Sequence, residues 1–487
     1  MATIQRVILM KPEKPGIIDI LFLLFLVLAV FAAARTLYFS GGLFVFFAAA
    51  LSAVYVFFLP KTRRFSRKHK IASTFIILAA AVAPRIIFLY FITAKPAGDF
   101  ETYNLLANGI AKGTLLTNPD MPVRYASIFP HTVSYPVFLS GFIRVYDNAV
   151  FWARVLSVIC SGASAVISGV IAAKIQKENY LSGGLLYALF PSAIYYCALM
   201  ATESLFIVLE LSAILMFICF IRESGNHGAI PKKLFFIISF CVTLALANSV
   251  RPLGYVILIA SAVTLILKGF AGMPYRIPKA LAAIILIILF YTLSSAVLMQ
   301  GTARLLGREI AASPAGFNIY VGMNTESRGK WNQSDSELFS EYARNNDLSP
   351  QRIHDRFLGM GVSRAVIAGF SLFKLAVSKF DVMWGGDHES VDYIKHAADA
   401  RRTKVSFNKY EPCLKTAANI YYLAVLLAAL YFTAAELISK SADPLKLYPA
   451  LIILGIFGLH IIVEAASRYH APALPLLCVF AVGSKGE

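Results

Sequence analysis

Apolar residues run along this chain in blocks of about 20, the length that carries an α-helix across a bilayer. About twelve such blocks are predicted, near 17–37, 41–60, 71–93, 150–173, 181–199, 204–221, 234–250, 253–267, 280–299, 417–438, 447–465 and 470–483. Two long polar segments interrupt them, at about 94–149 and 300–416. The chain therefore divides into a transmembrane region 1–299 that contains the first segment as a loop, an extramembrane unit 300–416, and terminal membrane helices 417–487. The expected fold class is an all-α polytopic membrane protein with about twelve transmembrane helices and a small mixed segment outside the bilayer. Within the first polar segment, SYPVFLSGFIRVY is apolar but too short to span, and predicts a helix lying in the interface. Within the second, residues Ser363 to Phe380 predict an amphipathic helix beyond the turn-rich stretch GMNTESRGKWNQSDSE. No repeat or low-complexity tract is visible. The first block is too long for the apolar core of a cleavable signal peptide, and no small-residue cleavage site follows it.

Charge orients these blocks. With the N-terminus inside, the basic loops at 61–70, 174–177, 222–233, 268–279 and 440–446 all fall on the cytoplasmic side. Only the short turn around Arg35 goes against the trend. Both termini are then cytoplasmic, and both long polar segments lie on the outer face of the cytoplasmic membrane. Composition agrees: 58% of the 487 residues are hydrophobic and only 15% charged, where soluble domains carry about 25%. The net charge of +18 sits largely in short inner loops such as KTRRFSRKHK. There it orients the protein and meets anionic lipid, so it does not call for nucleic acid. Five of the six cysteines lie in apolar blocks, and Cys413 alone stands in a polar stretch, which leaves no disulfide framework or metal-ligand spacing.

Ionisable groups gather at the outer ends of the blocks. Asp99, Glu101 and Tyr103 follow the third block in KPAGDFETY, and His131 stands in IFPHTVSYP. Glu203 opens the sixth block in LMATES, and Arg251 occupies the turn NSVRPLGY. Glu464, Arg468, Tyr469 and His470 share VEAASRYHAP between the last two blocks. The block centres are nearly free of charge, with Asp19 and Glu210 as exceptions. Carboxylates facing guanidinium groups at the mouth of a bundle suit an anionic lipid headgroup beside an acceptor hydroxyl.

Each residue also has a purely structural account. Asp99 and Glu101 fit solvated loop acids. Glu203 fits the first turn of a helix, where a carboxylate offsets the macrodipole. Arg251 fits a snorkelling interface residue, and Glu464 with Arg468 fits an i, i+4 pair at a helix end. His388 in GGDHES reads as a polar turn rather than a metal site, because adjacent residues converge poorly on one ion. Asn332 in NQS matches a glycosylation acceptor pattern.

Several of these stretches resemble the GT-C superfamily of polytopic glycosyltransferases, in particular the bacterial branch of protein O-mannosyltransferases and aminoarabinose transferases. The similar stretches are DFETY in the first outer loop, YPVFLSGF, LFPSAIYYCALMATESLF, the VRP turn, AGFNIYVGMNTESRG and EAASRYHAPALP. One departure is the place of the acidic loop, which follows the third helix here and the first in family members. The resemblance implies a sugar donor on a polyprenyl phosphate and an inverting transfer to a hydroxyl on a lipid, glycan or protein acceptor. It also implies Asp99 as general base. No Gly-rich phosphate loop followed by lysine occurs, as expected for a donor without a nucleotide. Arg251 or Arg468 would help a lipid phosphate leave. Glu101 would either position the acceptor or join Asp99 around a divalent cation (Mg or Mn), which carboxylates at i and i+2 permit in an extended loop. A transporter or flippase of lipid-linked sugars, or an oligosaccharide ligase or polymerase, are the alternatives.

Overall fold

The computed structural model describes residues 16–40, 42–115, 121–176, 179–225, 229–270, 277–345, 347–397, 403, 405–439 and 443–483. Parts of the basic loops (177, 226–228, 271–276 and 440–442) and the first fifteen residues lie outside them. The described chain is helical. Three helices open it, α1 (Ile17–Ser40), α2 (Gly42–Lys68) and α3 (Lys70–Phe91), followed by the short α4 (Asp99–Lys112), α5 (Met121–Ile128) and α6 (Ser134–Ile143). The central bundle comprises α7 (Ala149–Ile175), α8 (Tyr180–Ala188), α9 (Pro191–Tyr195), α10 (Glu203–Gly225), α11 (Ile230–Val250), α12 (Gly254–Phe270) and α13 (Ile277–Leu306). The second polar segment folds into α14 (Ala315–Gly322), α15 (Gln333–Arg344), α16 (Pro350–Ala368), α17 (Ser371–Trp384) and α18 (Glu389–Ala397). The chain closes with α19 (Phe407–Ile438), α20 (Pro444–Ile462), a 3-10 turn at Ser467–Ala473, and α21 (Leu474–Phe480).

Nine of these helices are long and apolar enough to span, or up to eleven if each of two bent pairs counts as one span. The expected count of about twelve is reduced for local reasons. The block at 181–199 breaks by 58° before Pro191, where proline removes a ladder donor. The break frees the Ala188 carbonyl, and the buried Arg85 of α3 donates to it at 2.8 Å. This guanidinium is an ionisable group inside a span, beyond the two exceptions noticed in the sequence. The block at 253–267 is only 17 residues long as α12. The block at 470–483 is a 3-10 turn and a seven-residue helix, interrupted by Pro472 and Pro475. Both short elements still carry the chain between the two ends. At one end Lys268 lies 3.6 Å from Asp443, and Arg63 donates to the Val482 carbonyl at 3.0 Å.

Small residues let the spans approach closely. A Cβ on Gly183 would lie 2.5 Å from that of Ala172, and one on Gly169 would lie 2.5 Å from the Tyr180 carbonyl oxygen. Starts are set by caps: Asn148 Oδ1 accepts from the Phe151 amide at 2.9 Å, and Asp443 Oδ1 accepts from Leu445 at 3.0 Å ahead of Pro444. The NQS asparagine, Asn332, is a cap of the same kind, and its Nδ2 donates to Asp335 at 2.8 Å.

The two polar segments pack together at the opposite end. Arg124 of α5 donates to the carbonyls of Ala343 and Leu348 at 3.0 and 2.7 Å, and His354 Nε2 donates to Ile128 O at 2.9 Å. Phe129, Phe317, Phe339 and Phe357 form their shared aromatic core. Arg35, the exception to the charge trend, pairs with Asp381 of α17 there. The amphipathic helix expected at 363–380 is instead the end of α16 and the start of α17, bent by 112° at Gly369, whose φ is +50°. A positive φ ends an α-helix, and glycine adopts it without steric penalty.

Candidate functional site

The acidic motif begins the site. Gly98 has φ +58°, and α4 starts immediately after it with Asp99 and Glu101 in the first turn, where carboxylates meet the positive end of the helix dipole. The sequence allowed these two residues to share a cation in an extended loop. On a helix, neighbours lie at i+3 and i+4, so side chains two positions apart diverge. Glu101 faces Asn104, whose Nδ2 stands 3.5 Å from Oε1, and takes no part in the contacts that Asp99 makes. Among the described residues, no group of three or more His, Cys, Asp or Glu side chains is placed to hold a metal ion. Glu101→Gln should accordingly change stability by less than about 0.5 kcal/mol, which thermal unfolding of the purified protein in detergent checks.

Asp99 Oδ2 accepts from Arg468 Nη2 at 3.1 Å, across 369 positions of sequence. Arg468 comes from the 3-10 turn, and its guanidinium lies 5.4 Å from the ring centroids of both Tyr393 and Tyr469. Its amide donates to Glu389 at the start of α18. A second pair stands beside the first. Arg251, the C-terminal cap of α11, donates through Nη2 to Glu203 at the start of α10 and through Nε to Thr202 Oγ1 at 3.1 Å. Glu203 thus holds both the helix-start position and an ion pair. Arg251 does not snorkel: its side chain is 12% exposed and turned into the protein. Tyr469 joins the two pairs, with Arg251 5.9 Å from its ring and His460 stacked on it at 5.0 Å.

Glu464 and Arg468 do not form the expected i, i+4 pair, because α20 stops at Ile462 and Val463 is extended. The freed end is held by the second polar segment. Lys379 Nζ donates to the carbonyls of Ile461 and Val463 at 2.9 and 2.7 Å. Glu464 N donates to Asn318 O, and Ala465 N to Gly329 O, each at 2.9 Å. A Cβ on Gly322 would lie 2.4 Å from Ile462 O, and one on Gly329 would lie 2.2 Å from Lys379 Cε. At Gly322 the clash is with backbone and only glycine fits, while at Gly329 a φ of +70° favours glycine.

Burial sets the protonation states. It raises Glu464 from 4.5 to about 7, with Asp99 and Glu389 adding to the rise and Arg468 opposing it. It lowers His131 from 6.5 to about 4, helped by Arg251, so this imidazole is neutral at physiological pH. Its buried Nδ1 has no hydrogen-bond partner. Burial also raises Glu389. It raises Tyr103 and Tyr393, which stay protonated and able to donate. Tyr103 packs edge-on against Tyr135 at 5.8 Å, within the fields of Asp99, Arg468, Arg251 and Glu203.

The structure therefore brings Asp99, Tyr103, His131, Glu203, Arg251, Glu464, Arg468 and Tyr469 to one region and leaves Glu101 aside. It gives contacts to Asp387 and Glu389, the acidic neighbours of His388 that the sequence reading set aside as part of a polar turn. In GGDHES the histidine drew notice, yet His388 makes only long contacts, 3.4 Å to Asn419 and 3.9 Å to Asp392. Its neighbours carry the contacts. Glu389 holds the Arg468 amide, and the buried Asp387 sits 3.0 Å from His470 Nε2. His470 is stacked between Trp384 and Tyr422, with Nδ1 2.5 Å from Met383 O. The two acids in GGDHES were the available signal.

Fixed guanidinium groups bind phosphate, neutral phenols donate to sugar hydroxyls, and a carboxyl near pKa 7 exchanges protons at physiological pH. No protein-family model matches this sequence, and no curated protein matches it. Among solved structures, ArnT from Cupriavidus metallidurans in the apo state aligns over 84% of this chain and 77% of its own, with 10% identity and a TM-score of 0.32. The same protein bound to undecaprenyl phosphate aligns over the same shares with 9% identity and a TM-score of 0.31. Likeness at this level does not assign a family.

Proposed function

We propose that this protein is a membrane glycosyltransferase of the GT-C type, moving a sugar from a polyprenyl-phosphate donor to a hydroxyl acceptor at the outer face with inversion. The observation that carries the reading is the meeting of two arginine–carboxylate pairs, Arg468–Asp99 and Arg251–Glu203, from four separate segments at one end of a membrane bundle. A lipid phosphate entering this cluster takes Arg468 from Asp99, because a phosphate offers the guanidinium a stronger bidentate partner. The released Asp99 carboxylate accepts the acceptor's hydroxyl proton as that oxygen bonds to the anomeric carbon. The bond from the anomeric carbon to the phosphate oxygen breaks on the opposite side, and the arginines stabilise the departing anion. Tyr103 and neutral His131 would then bind sugar hydroxyls.

Arg468→Ala should weaken donor binding by about 1.5–3 kcal/mol, the usual worth of a hydrogen bond to a charged group. Binding of a polyprenyl-phosphate donor to the purified variant measures this, and unchanged affinity would move the phosphate site elsewhere.

Glu464 supports a second assignment of the base, since a group near pKa 7 is matched to proton transfer at physiological pH. Folding raises its pKa, so its contribution to stability is complete below about pH 4.5 and is lost as pH rises through about 7. If Glu464 is the base, kcat/KM rises through a limb near pH 7 that Glu464→Gln abolishes. If Asp99 is the base, Glu464→Gln leaves the pH profile unchanged.

Transport remains the alternative from another class, and it would draw on Glu210, which is fully buried in α10 with neither carboxylate oxygen hydrogen-bonded. Arg85, a buried cation within α3, has a structural partner at the helix break. A ligase or polymerase would share the outer site and differ in the length of the glycan moved.

A further inference from the structure

The hairpin of α16 and α17 carries apolar side chains on both of its faces. Inward, Ile353 and Phe357 of α16 and Leu375 and Met383 of α17 are buried. Outward, Val362, Val366 and Ile367 lead into Phe370, Phe373 and Val377, all exposed, with Phe370 entirely so. The spacing follows i, i+4 on α16 and i, i+3, i+7 on α17, so the two stripes meet at the Gly369 bend. A helix apolar on both faces belongs inside a protein or in lipid, and soluble surfaces rarely carry so large a contiguous apolar patch.

Contacts with the spanning helices set the depth. Phe380 of α17 packs edge-on against Phe31 of α1 at 6.4 Å and against Phe457 of α20 at 5.6 Å. Asp381 pairs with Arg35, one turn further along α1. Phe31 lies nine residues before the end of α1 at Ser40, about 13 Å along the helix axis at 1.5 Å per residue. It belongs to the exposed stripe with Val27 and Val30 that faces lipid along α1. The outer face of α17 is continuous with that stripe. Lys374, exposed beside Phe373, is long enough to reach headgroups from such a position.

We infer that the α16–α17 hairpin dips its tip into the outer leaflet of the bilayer, with lipid acyl chains covering Val366, Ile367, Phe370 and Phe373. The unit 300–416 is then anchored in the membrane. Its embedded helix also carries Lys379 and Trp384, which hold the end of α20 and His470.

The test uses the full chain in liposomes. Phe370→Cys and, separately, Ile367→Cys carry an environment-sensitive fluorophore in a Cys413→Ser background, since Cys413 is the one exposed native cysteine. Gln333→Cys on α15 is the water-exposed reference. The expected result is blue-shifted emission at both hairpin sites, quenched by spin-labelled lipid and protected from iodide, with the opposite pattern at Gln333. Iodide quenching at the hairpin equal to that at Gln333 would overturn the inference. Protection from both quenchers would also overturn it, because it would mean that protein covers the tip. Two labelling sites guard against one variant failing to fold.

Discussion

Asp99→Asn is expected to lower turnover by about 10²–10⁴-fold, the usual contribution of a positioned general base, while donor binding and folding persist. The amide keeps the size of the side chain and still offers an acceptor to Arg468, but it cannot take a proton. Arg468, itself 16% exposed, keeps the amide oxygen and the Tyr393 and Tyr469 rings as partners. Single-turnover measurement with saturating donor isolates the chemical step. Near-normal turnover would remove Asp99 from the base role, and Glu464→Gln measured alongside would show whether the role passes to Glu464.

The second large effect falls on stability. Arg251→Ala should destabilise the fold by about 3–5 kcal/mol, the range for removing one partner of a buried ion pair. Glu203 is 3% exposed and depends on Arg251 for one carboxylate oxygen, while the other has no partner. Its place at the start of α10 softens the loss only partly, since a helix dipole contributes about 0.3–1 kcal/mol. The pair Glu203→Gln with Arg251→Ala should cost less than Arg251→Ala alone, because no charge is left behind. Thermal unfolding of the four proteins in detergent completes the cycle, and additive losses would mean that the two side chains are uncoupled.

What the sequence made legible follows from the range over which its signals act. Spans were readable because crossing a bilayer demands about 20 apolar residues in a row. That logic overcounts where an apolar block is buried inside the bundle, and α21 needs no span length because neighbouring helices surround it. The bend at Gly369 was hidden in an amphipathic pattern that two shorter helices satisfy equally well. Site residues were readable where the cue was local: a charged side chain at the end of an apolar block, as at Glu203, Arg251 and Arg468. Their pairing was not readable, since Arg468 meets Asp99 from 369 positions away. Asp387 and Glu389 were read as part of a polar turn for the same reason, because their partners lie about 80 residues downstream in the 3-10 turn. The shared-cation reading of Asp99 and Glu101 depended on backbone conformation, and Gly98 turns the chain into a helix at that point.

The central claim is that the cluster around Asp99, Arg251 and Arg468 transfers a sugar from a lipid phosphate. The most direct measurement incubates proteoliposomes of the purified protein with radiolabelled polyprenyl-phosphate sugars and a membrane extract, then separates labelled products from donor. The expected result is label on a new acceptor with the wild-type protein and almost none with Asp99→Asn. Passage of intact labelled donor across the bilayer, equal in both proteins and with no new product, would contradict it.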